Sequence, residues 1–121
     1  LPKSISSENT FNYDVSEPQI ILEALIKELE VAHRRMQRYK MKAKTVGFKL
    51  KKTNFSIITR SVSLKDATND LVVLKDSLEM LFYDIYNNEN VRLIGAHLSN
   101  LILENDVKIP FDLFTYNSFN E

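Results

Sequence analysis

Hydrophobic residues recur with a helical period in two segments of this chain. Over residues 16–39, apolar side chains return every three or four positions, which predicts an amphipathic helix. Ser16 is the expected N-cap, with Pro18 in the first turn and Gln19 as the capping-box partner. A second apolar stripe, from Thr68 or Asn69 to Ile85, predicts a second helix.

Outside these helices the apolar period falls to two, as in β-strands. Strands are predicted over residues 3–11, 45–51, 55–64 and 91–101. Turns are predicted at residues 12–14, 52–54 and 87–90. The order β-α-β-β-α-β predicts an α+β fold, in which two helices pack on one face of a four-stranded sheet and leave the other face open.

The open face of the predicted sheet carries cations and hydroxyl groups. Val46, Phe48 and Leu50 point towards the helices by alternation, so the second and third strands turn the following residues to the open face: Lys49, Lys51, Thr59, Ser61 and Ser63. Arg60 interrupts the apolar side of the third strand, which predicts a bulge or an edge position. Lysines and hydroxyls without aromatic rings suit phosphate oxygens better than stacked bases. An ordinary solvated sheet face is the alternative.

Charge is distributed very unevenly along the chain. The sequence has 16 Lys and Arg against 16 Asp and Glu, so its formal net charge is zero. Residues 31–65 nevertheless contain no acid and eleven bases, namely Arg34, Arg35, Arg38, Lys40, Lys42, Lys44, Lys49, Lys51, Lys52, Arg60 and Lys65. Bases at the end of the first helix suit its macrodipole, which explains part of the asymmetry. The remainder indicates a polyanionic partner.

Composition excludes several classes of protein. The absence of cysteine excludes disulfides, thiolate metal sites and thiol catalysis, and fits a reducing intracellular setting. No apolar run approaches the roughly 20 residues of a membrane span. His33 and His97 lack a metal-ligand spacing, so we expect no metal site. The start at Leu1 instead of Met suggests a fragment of a longer chain.

The chain has only two glycines, Gly47 and Gly95, which excludes a glycine-rich phosphate loop. Both fall inside predicted strands, where glycine costs stability and often marks close approach of a ligand. Phosphate is the ligand we expect there. A bulge, or tight packing on a neighbouring side chain, is the alternative.

Several short stretches resemble one family. They are Lys3-Ser4-Ile5-Ser6 with Glu8 and Thr10-Phe11, Val46-Gly47-Phe48-Lys49-Leu50, Thr59-Arg60-Ser61 and Val91-Arg92-Leu93-Ile94-Gly95. In order and spacing they resemble the C-terminal little-finger domain of Y-family translesion DNA polymerases, in particular the bacterial UmuC/ImpB/MucB-like and polymerase IV branches. The resemblance covers residues 3–101, and its most distinctive part is Val-Arg-Leu-Ile-Gly.

The resemblance implies a domain, residues 1–102, that lays its sheet in the DNA major groove and grips both backbones without reading sequence. Together with the charge pattern it gives the expected DNA contacts: Lys3, Ser4, Ser6, Lys44, Lys49, Lys51, Thr59, Arg60, Ser61, Ser63 and Arg92. The parent protein would be a polymerase for damage bypass and repair, with Mg²⁺ held in a palm domain that precedes Leu1. The fragment itself should be catalytically inactive, cofactor-free and monomeric, in the bacterial cytoplasm at the nucleoid.

The tail, residues 103–121, carries a second resemblance. Pro110-Phe111-Asp112-Leu113-Phe114 is similar to the short sliding-clamp-binding peptide found near the ends of these polymerases. Asp112, Leu113 and Phe114 match that peptide, whereas Pro110 stands where the family has Gln and Phe111 replaces Leu. A tail that folds back on its own domain is the alternative.

Two other classes of function share the predicted element order. A regulatory or protein-interaction domain would dock a partner through its open sheet face or its tail, but the centre of such an interface should be apolar, and Lys49 and Lys51 oppose this. An RNA-binding fold would need aromatic side chains on its central strands. Residues 56–63 contain none.

Overall fold

A computed structural model describes residues 1–105 of the chain as one sheet with two helices. The elements are β1 (Ser4–Val15), α1 (Pro18–Arg38), β2 (Met41–Lys52), β3 (Ile57–Thr68), α2 (Leu71–Ile85) and β4 (Val91–Leu103). The predicted α+β class and the β-α-β-β-α-β order are confirmed. In this part of the chain, neither helix is long and apolar enough to cross a membrane.

The strands lie side by side in the order β1-β4-β2-β3, and every neighbouring pair is antiparallel. The last strand of the sequence is therefore inserted between the first two, and β3 forms an edge. Helix α1 packs on β1 and β4, while α2 packs on β2 and β3. Both helices lie on the same face, as predicted, so the opposite face of the sheet carries no covering element within residues 1–105.

The core lies between the sheet and the helices. Phe48 of β2 is fully buried and packs edge-to-face against Phe82 of α2, with 6.0 Å between ring centroids. Tyr86 stacks on Phe82 from the end of α2, and its hydroxyl lies 2.5 Å and 2.8 Å from the backbone carbonyls of Ser16 and Glu89. Burial raises the pKa of this hydroxyl. These contacts fix α2 against the sheet and against the start of α1.

The predicted capping box of α1 is wrong. The N-cap is Glu17, its side chain makes no capping hydrogen bond, and Gln19 donates instead to Glu23 at 3.1 Å. Pro18 has no N–H, so this helix start leaves one donor fewer to satisfy. Helix α2 is capped by a side chain, because Asp70 accepts a hydrogen bond from the backbone N–H of Val72 at 2.9 Å.

The strands are longer than predicted. Strand β1 continues through the predicted turn at residues 12–14 to Val15, after an irregularity in its pairing with β4 beyond Thr10. Strand β2 begins at Met41, directly after Lys40 takes a positive φ of 54°. The added part of β2 does alternate, with Met41 and Ala43 buried and Lys44 exposed, so this extension could have been recognised from the sequence. In the added part of β1 only Val15 is buried, so alternation gives little signal there.

Candidate nucleic-acid interface

The sheet face that the helices leave free is a four-by-four array of side chains. Directly opposed residues in an antiparallel sheet point to the same face. The register therefore defines four rows across β1, β4, β2 and β3, which we call the open face. The rows are Ser4, Ser99, Thr45 and Ser63; Ser6, His97, Gly47 and Ser61; Glu8, Gly95, Lys49 and Thr59; and Thr10, Leu93, Lys51 and Ile57.

Most of the side chains predicted to contact DNA meet on this open face. They are Ser4, Ser6, Lys49, Lys51, Thr59, Ser61 and Ser63. The five hydroxyl-bearing residues of this group are exposed, and the two lysines are half-buried. Alternation in β2 and β3 placed their five residues on the correct face, because each strand has an apolar side that fixes the direction of the other. Ser4 and Ser6 were predicted from the family resemblance instead.

Three predicted contacts lie at the ends of the array. Lys3 directly precedes Ser4, and Lys44 occupies the irregularity in the pairing of β2 just before Thr45, so both are exposed beside the first row. Arg92 precedes Leu93 at the opposite end, where its Nε lies 3.0 Å from the carboxylate of Asp14.

Arg60 does not share the open face. It is paired with Phe48, whose side chain is buried beneath the helices, so Arg60 extends from the helix side of the sheet. The pairing of β2 with β3 is continuous on both sides of Arg60, and β3 is an edge strand. The interruption of the apolar pattern is therefore explained by an edge position and not by a bulge. Its guanidinium donates to the backbone carbonyl of Thr59 at 2.9 Å.

The cations on and beside the open face are partly neutralised. Lys49 Nζ lies 3.2 Å from Glu8 Oε1, across the intervening strand β4. Lys51 Nζ sits over the ring of Phe55, 5.7 Å from its centroid. Lys52 pairs with Glu89. The charge of the basic segment is therefore only partly available to a polyanion.

The two strand glycines accommodate neighbouring residues. A Cβ on Gly47 would lie 2.4 Å from both His97 Nε2 and the carbonyl oxygen of Arg60, so only glycine lets the His97 ring lie over β2. A Cβ on Gly95 would lie 3.0 Å from Glu8 Cβ. Protein atoms already occupy the space beside both glycines, which favours tight packing on a neighbour over close approach of a phosphate.

His97 lies at the centre of the open face, although its sequence neighbours gave it no role. Burial lowers the pKa of its imidazole, so the ring is neutral at pH 7. With Ser6 and Lys49 it borders a shallow depression of about 390 Å³. The surface combines hydroxyls, an ammonium and an imidazole. Within residues 1–105, no three acidic or histidine side chains are grouped to hold a metal ion.

Sequence comparison identifies the family. A family model described as the impB/mucB/samB family C-terminal domain matches residues 2–111. The chain belongs to this family. The resemblance to the little-finger domain of Y-family polymerases, seen first in short sequence stretches, is confirmed.

Individual relatives agree with this assignment. DNA polymerase IV of Listeria monocytogenes serotype 4a (strain HCC23) is 30% identical over 100 residues, which cover 82% of this chain and 28% of that protein. The little-finger domain thus spans less than a third of the length of the curated relatives that it matches.

Solved structures show the same fold. A DinB family error-prone DNA polymerase from Sulfolobus solfataricus superposes with a TM-score of 0.71 at 18% identity, covering 83% of this chain and 30% of that one. The little finger domain of PolIV, in its complex with the β-clamp processivity factor, gives a TM-score of 0.65 at 18% identity. That match covers 79% of this chain and 86% of the other.

Three further bases of this little-finger domain lie near the end of α1. Arg34, Arg35 and Arg38 are exposed, and Arg35 donates to the backbone carbonyl of Ser6 at 2.8 Å. Arg35 and Arg38 lie in the last helical turn, where cations complement the helix dipole. The dipole explanation for part of the charge asymmetry therefore has a structural basis. The predicted clamp-binding residues Asp112, Leu113 and Phe114 lie outside the described residues.

Sequence reasoning missed several polar components of the open face, and the most consequential are Glu8 and His97. Both are polar residues whose importance depends on the strand order, because β4 brings His97 to the centre of the sheet and separates Glu8 from Lys49. A local signal existed for His97, because Gly95, His97 and Ser99 occupy every second position of β4 and so point to the same face. It could be used only once the open side of β4 had been identified.

Proposed function

We propose that this little-finger domain binds the duplex of a primer–template through its DNA backbone, without reading base sequence, as part of a translesion polymerase used in damage bypass and repair. The observation that carries the proposal is the open face, where hydroxyls and lysines from the four strands point to the side of the sheet that no other element of residues 1–105 covers. Family membership supports the proposal, because the matched relatives are DNA polymerases.

The chemistry of the open face favours phosphate over bases. Short hydroxyl side chains and lysines donate hydrogen bonds to phosphate oxygens, and such contacts position a protein on DNA without specifying sequence. The two central strands present no Phe, Tyr or Trp on this face. Their one ring, His97, is half-buried against Gly47, so the face lacks the set of exposed aromatic rings on which a single-strand RNA reader stacks bases. The centre of the array is also too polar for the apolar core of a dimer interface, which makes the protein-docking alternative less favourable.

The catalytic chemistry of the parent protein belongs, on this proposal, to parts of the polymerase that the matched relatives carry beyond this domain. Metal-dependent phosphoryl transfer needs carboxylates that hold Mg²⁺ against the incoming triphosphate. We place that site in the parent's palm domain and assign the little finger the task of holding the duplex. The cytoplasmic, nucleoid-associated location stays a prediction.

Fluorescence anisotropy with a labelled primer–template duplex tests the proposal. If about four to six phosphates are engaged, log affinity should fall against log salt with a slope of roughly −4 to −5. A duplex of the same length with shuffled sequence should bind with the same affinity. No binding at low salt, or a strong preference for one sequence, would contradict backbone binding by the open face.

We also propose that residues 103–121 bind a sliding clamp through Asp112, Leu113 and Phe114. The solved complex of a β-clamp with the little finger domain of PolIV supports a clamp as partner. Burying one large apolar side chain in a pocket contributes about 1.5–3 kcal/mol, so replacing Leu113 and Phe114 by Ala should weaken clamp binding at least about tenfold. Surface plasmon resonance on an immobilised bacterial clamp measures this. Equal clamp affinity for the unmutated chain and for the Leu113→Ala, Phe114→Ala variant would exclude the tail as the contact.

A further inference from the structure

A carboxylate stands in the middle of the face that we propose for DNA. Glu8 occupies the third row on β1, and its Oε1 lies 3.2 Å from Lys49 Nζ on β2. No other acid belongs to the open face. A carboxylate at this position repels a phosphate backbone. It also pairs with Lys49, a cation that could otherwise bind a phosphate group.

The ion pair spans the strand that separates its partners. Glu8 and Lys49 lie on either side of β4, about 10 Å apart at the backbone for a usual strand spacing. The residue of β4 in that row is Gly95. Because glycine has no side chain, the two long side chains can meet above β4. A Cβ there would lie 3.0 Å from Glu8 Cβ and 3.4 Å from the carbonyl of Ser7.

The pair is exposed enough to open. The side chain of Lys49 is 35% exposed and that of Glu8 is 50% exposed. Ion pairs at this level of exposure contribute little stability, because water and salt screen them. A phosphate group can therefore compete with the carboxylate for the same ammonium without disturbing the fold.

We propose that Glu8 is an internal competitor of DNA phosphate for Lys49. In the free domain Glu8 holds Lys49 above Gly95; on binding, a phosphate oxygen replaces the carboxylate at Nζ, and Glu8 turns to solvent. The domain therefore binds duplex DNA more weakly, and releases it faster, than its hydroxyls and lysines alone would allow. This inference rests on the proposed DNA-binding function and adds an attenuating residue to it.

Glu8→Gln is the central test, because it removes the charge and keeps the size of the side chain. Anisotropy at low salt should show duplex affinity rising about two- to fivefold, the range expected when one exposed ion pair no longer competes. The slope of log affinity against log salt should steepen by up to about 0.9, because one more phosphate contact is made in full. Stopped-flow dissociation should be slower by a similar factor.

Glu30→Gln is the matched control. Glu30 pairs with Lys75 at 2.8 Å between the two helices, with both side chains about as exposed as those of the Glu8–Lys49 pair. This variant changes net charge by the same amount but leaves the open face intact, so DNA affinity should stay near that of the parent domain. An equal gain in both variants would mean that only net charge matters, and would overturn the inference.

Two further variants separate competition from simple repulsion. Glu8→Asp keeps the charge but shortens the side chain that must reach across β4, so its affinity should fall between the parent and Glu8→Gln. In a Lys49→Met background, Glu8→Gln should lose most of its effect. If Glu8→Gln raised duplex affinity by the same factor in the Lys49→Met background, Glu8 would act by repelling DNA directly.

The outcomes distinguish this inference from the proposed function. If the parent domain binds duplex DNA and Glu8→Gln binds equally or more weakly, Glu8 is neutral or positions Lys49, and the inference fails while the function stands. If neither protein binds, both fail. If only Glu8→Gln binds, the competition is stronger than we expect and the inference is supported. Thermal unfolding of each variant checks that the sheet is intact.

Discussion

The open face and the outer side of α2 are opposite in chemistry, although they belong to one domain. The open face presents hydroxyls and lysines, with Glu8 as its single acid. The outer side of α2 presents Val72, Met80 and Tyr83 among carboxylates; Met80 is 74% exposed. The one base of α2, Lys75, is occupied by Glu30. A chain of zero net charge therefore has one side that suits a polyanion and another that repels it.

The comparison shows how a neutral domain can bind DNA in one orientation. Fields from separated charges of opposite sign steer a charged ligand even when they sum to zero. The helix layer separates the two surfaces, so each can change without the other. Substitutions can test this comparison. The largest effect is expected in the core between the sheet and the helices, and the smallest in the pH dependence due to the His97 ring.

A cavity in the core between the two surfaces should have the largest effect on stability. Phe48→Ala removes a fully buried ring that packs against Phe82, and should lower the free energy of unfolding by about 3–5 kcal/mol. Urea unfolding followed by circular dichroism measures this. Phe55→Ala is the matched control, since Phe55 is 78% exposed, and it should change stability by less than about 0.5 kcal/mol. Similar costs for both would contradict the described core.

A methyl group on the open face at Gly47 should come next. Its Cβ would lie 2.4 Å from both His97 Nε2 and the backbone oxygen of Arg60, and backbone cannot move aside as a flexible side chain can. Gly47→Ala should cost about 1–3 kcal/mol by overpacking. Adding His97→Ala should recover part of this loss, because it removes one of the two clashes. Additive losses in the double variant would show that the ring does not lie over Gly47.

Charge reversal should separate the two surfaces in DNA binding. Lys49→Glu replaces a cation of the open face by an anion and should weaken duplex binding about tenfold, equally for all sequences. Glu79→Lys on α2 changes the net charge by the same amount in the opposite sense, and its affinity for duplex DNA should stay close to that of the unmutated domain. Anisotropy with two unrelated duplexes measures both. A gain from Glu79→Lys as large as the loss from Lys49→Glu would mean that DNA responds to total charge.

The pH dependence attached to His97 should be the smallest effect. Its pKa is lowered in the folded state by burial, so the unfolded chain binds a proton more readily. The stability it contributes is complete above the unfolded value near 6.5 and is lost as pH falls towards the folded pKa. Thermal unfolding at pH 8 and pH 5.5 should show a larger loss for the parent domain than for His97→Gln. A His97→Gln domain that loses as much stability would exclude the imidazole as the cause.

The parts of the fold that local patterns determine could be predicted from the sequence. Strand β2 alternates strictly from Val46 to Lys51, so its buried and open sides were assigned correctly, and the stripe of α2 gave that helix. Pro18 was predicted correctly in the first turn of α1, but the N-cap is Glu17 instead of Ser16, and Gln19 donates to Glu23 instead of completing a capping box. Alternation also placed Arg60 on the apolar side of β3, but only the pairing and the strand order decide between the edge position and the bulge that the sequence left open.

Some features of the candidate site could also be predicted from local patterns, whereas others depend on the strand order. Its hydroxyls and lysines follow from alternation within each strand. The Glu8–Lys49 pair and the ring of His97 over Gly47 depend on which strands are neighbours, and nothing local indicates that β4 lies between β1 and β2. Non-local pairing thus decides the features that distinguish this open face from an ordinary polar sheet.

The central position of β4 has a consequence for how the chain acquires its structure. Strand β1 has no other partner in the sheet, and it pairs with residues about 90 positions later, as in Ser4 with Ser99. Within this domain, β1 is synthesised before its partner, and the edge that pairs with β4 has no strand partner until β4 emerges. Such long-range closure slows folding and leaves strand edges open to wrong partners. Until β4 has been made, the domain can therefore form the β2–β3 hairpin and its two helices, but β1 has no strand with which to pair.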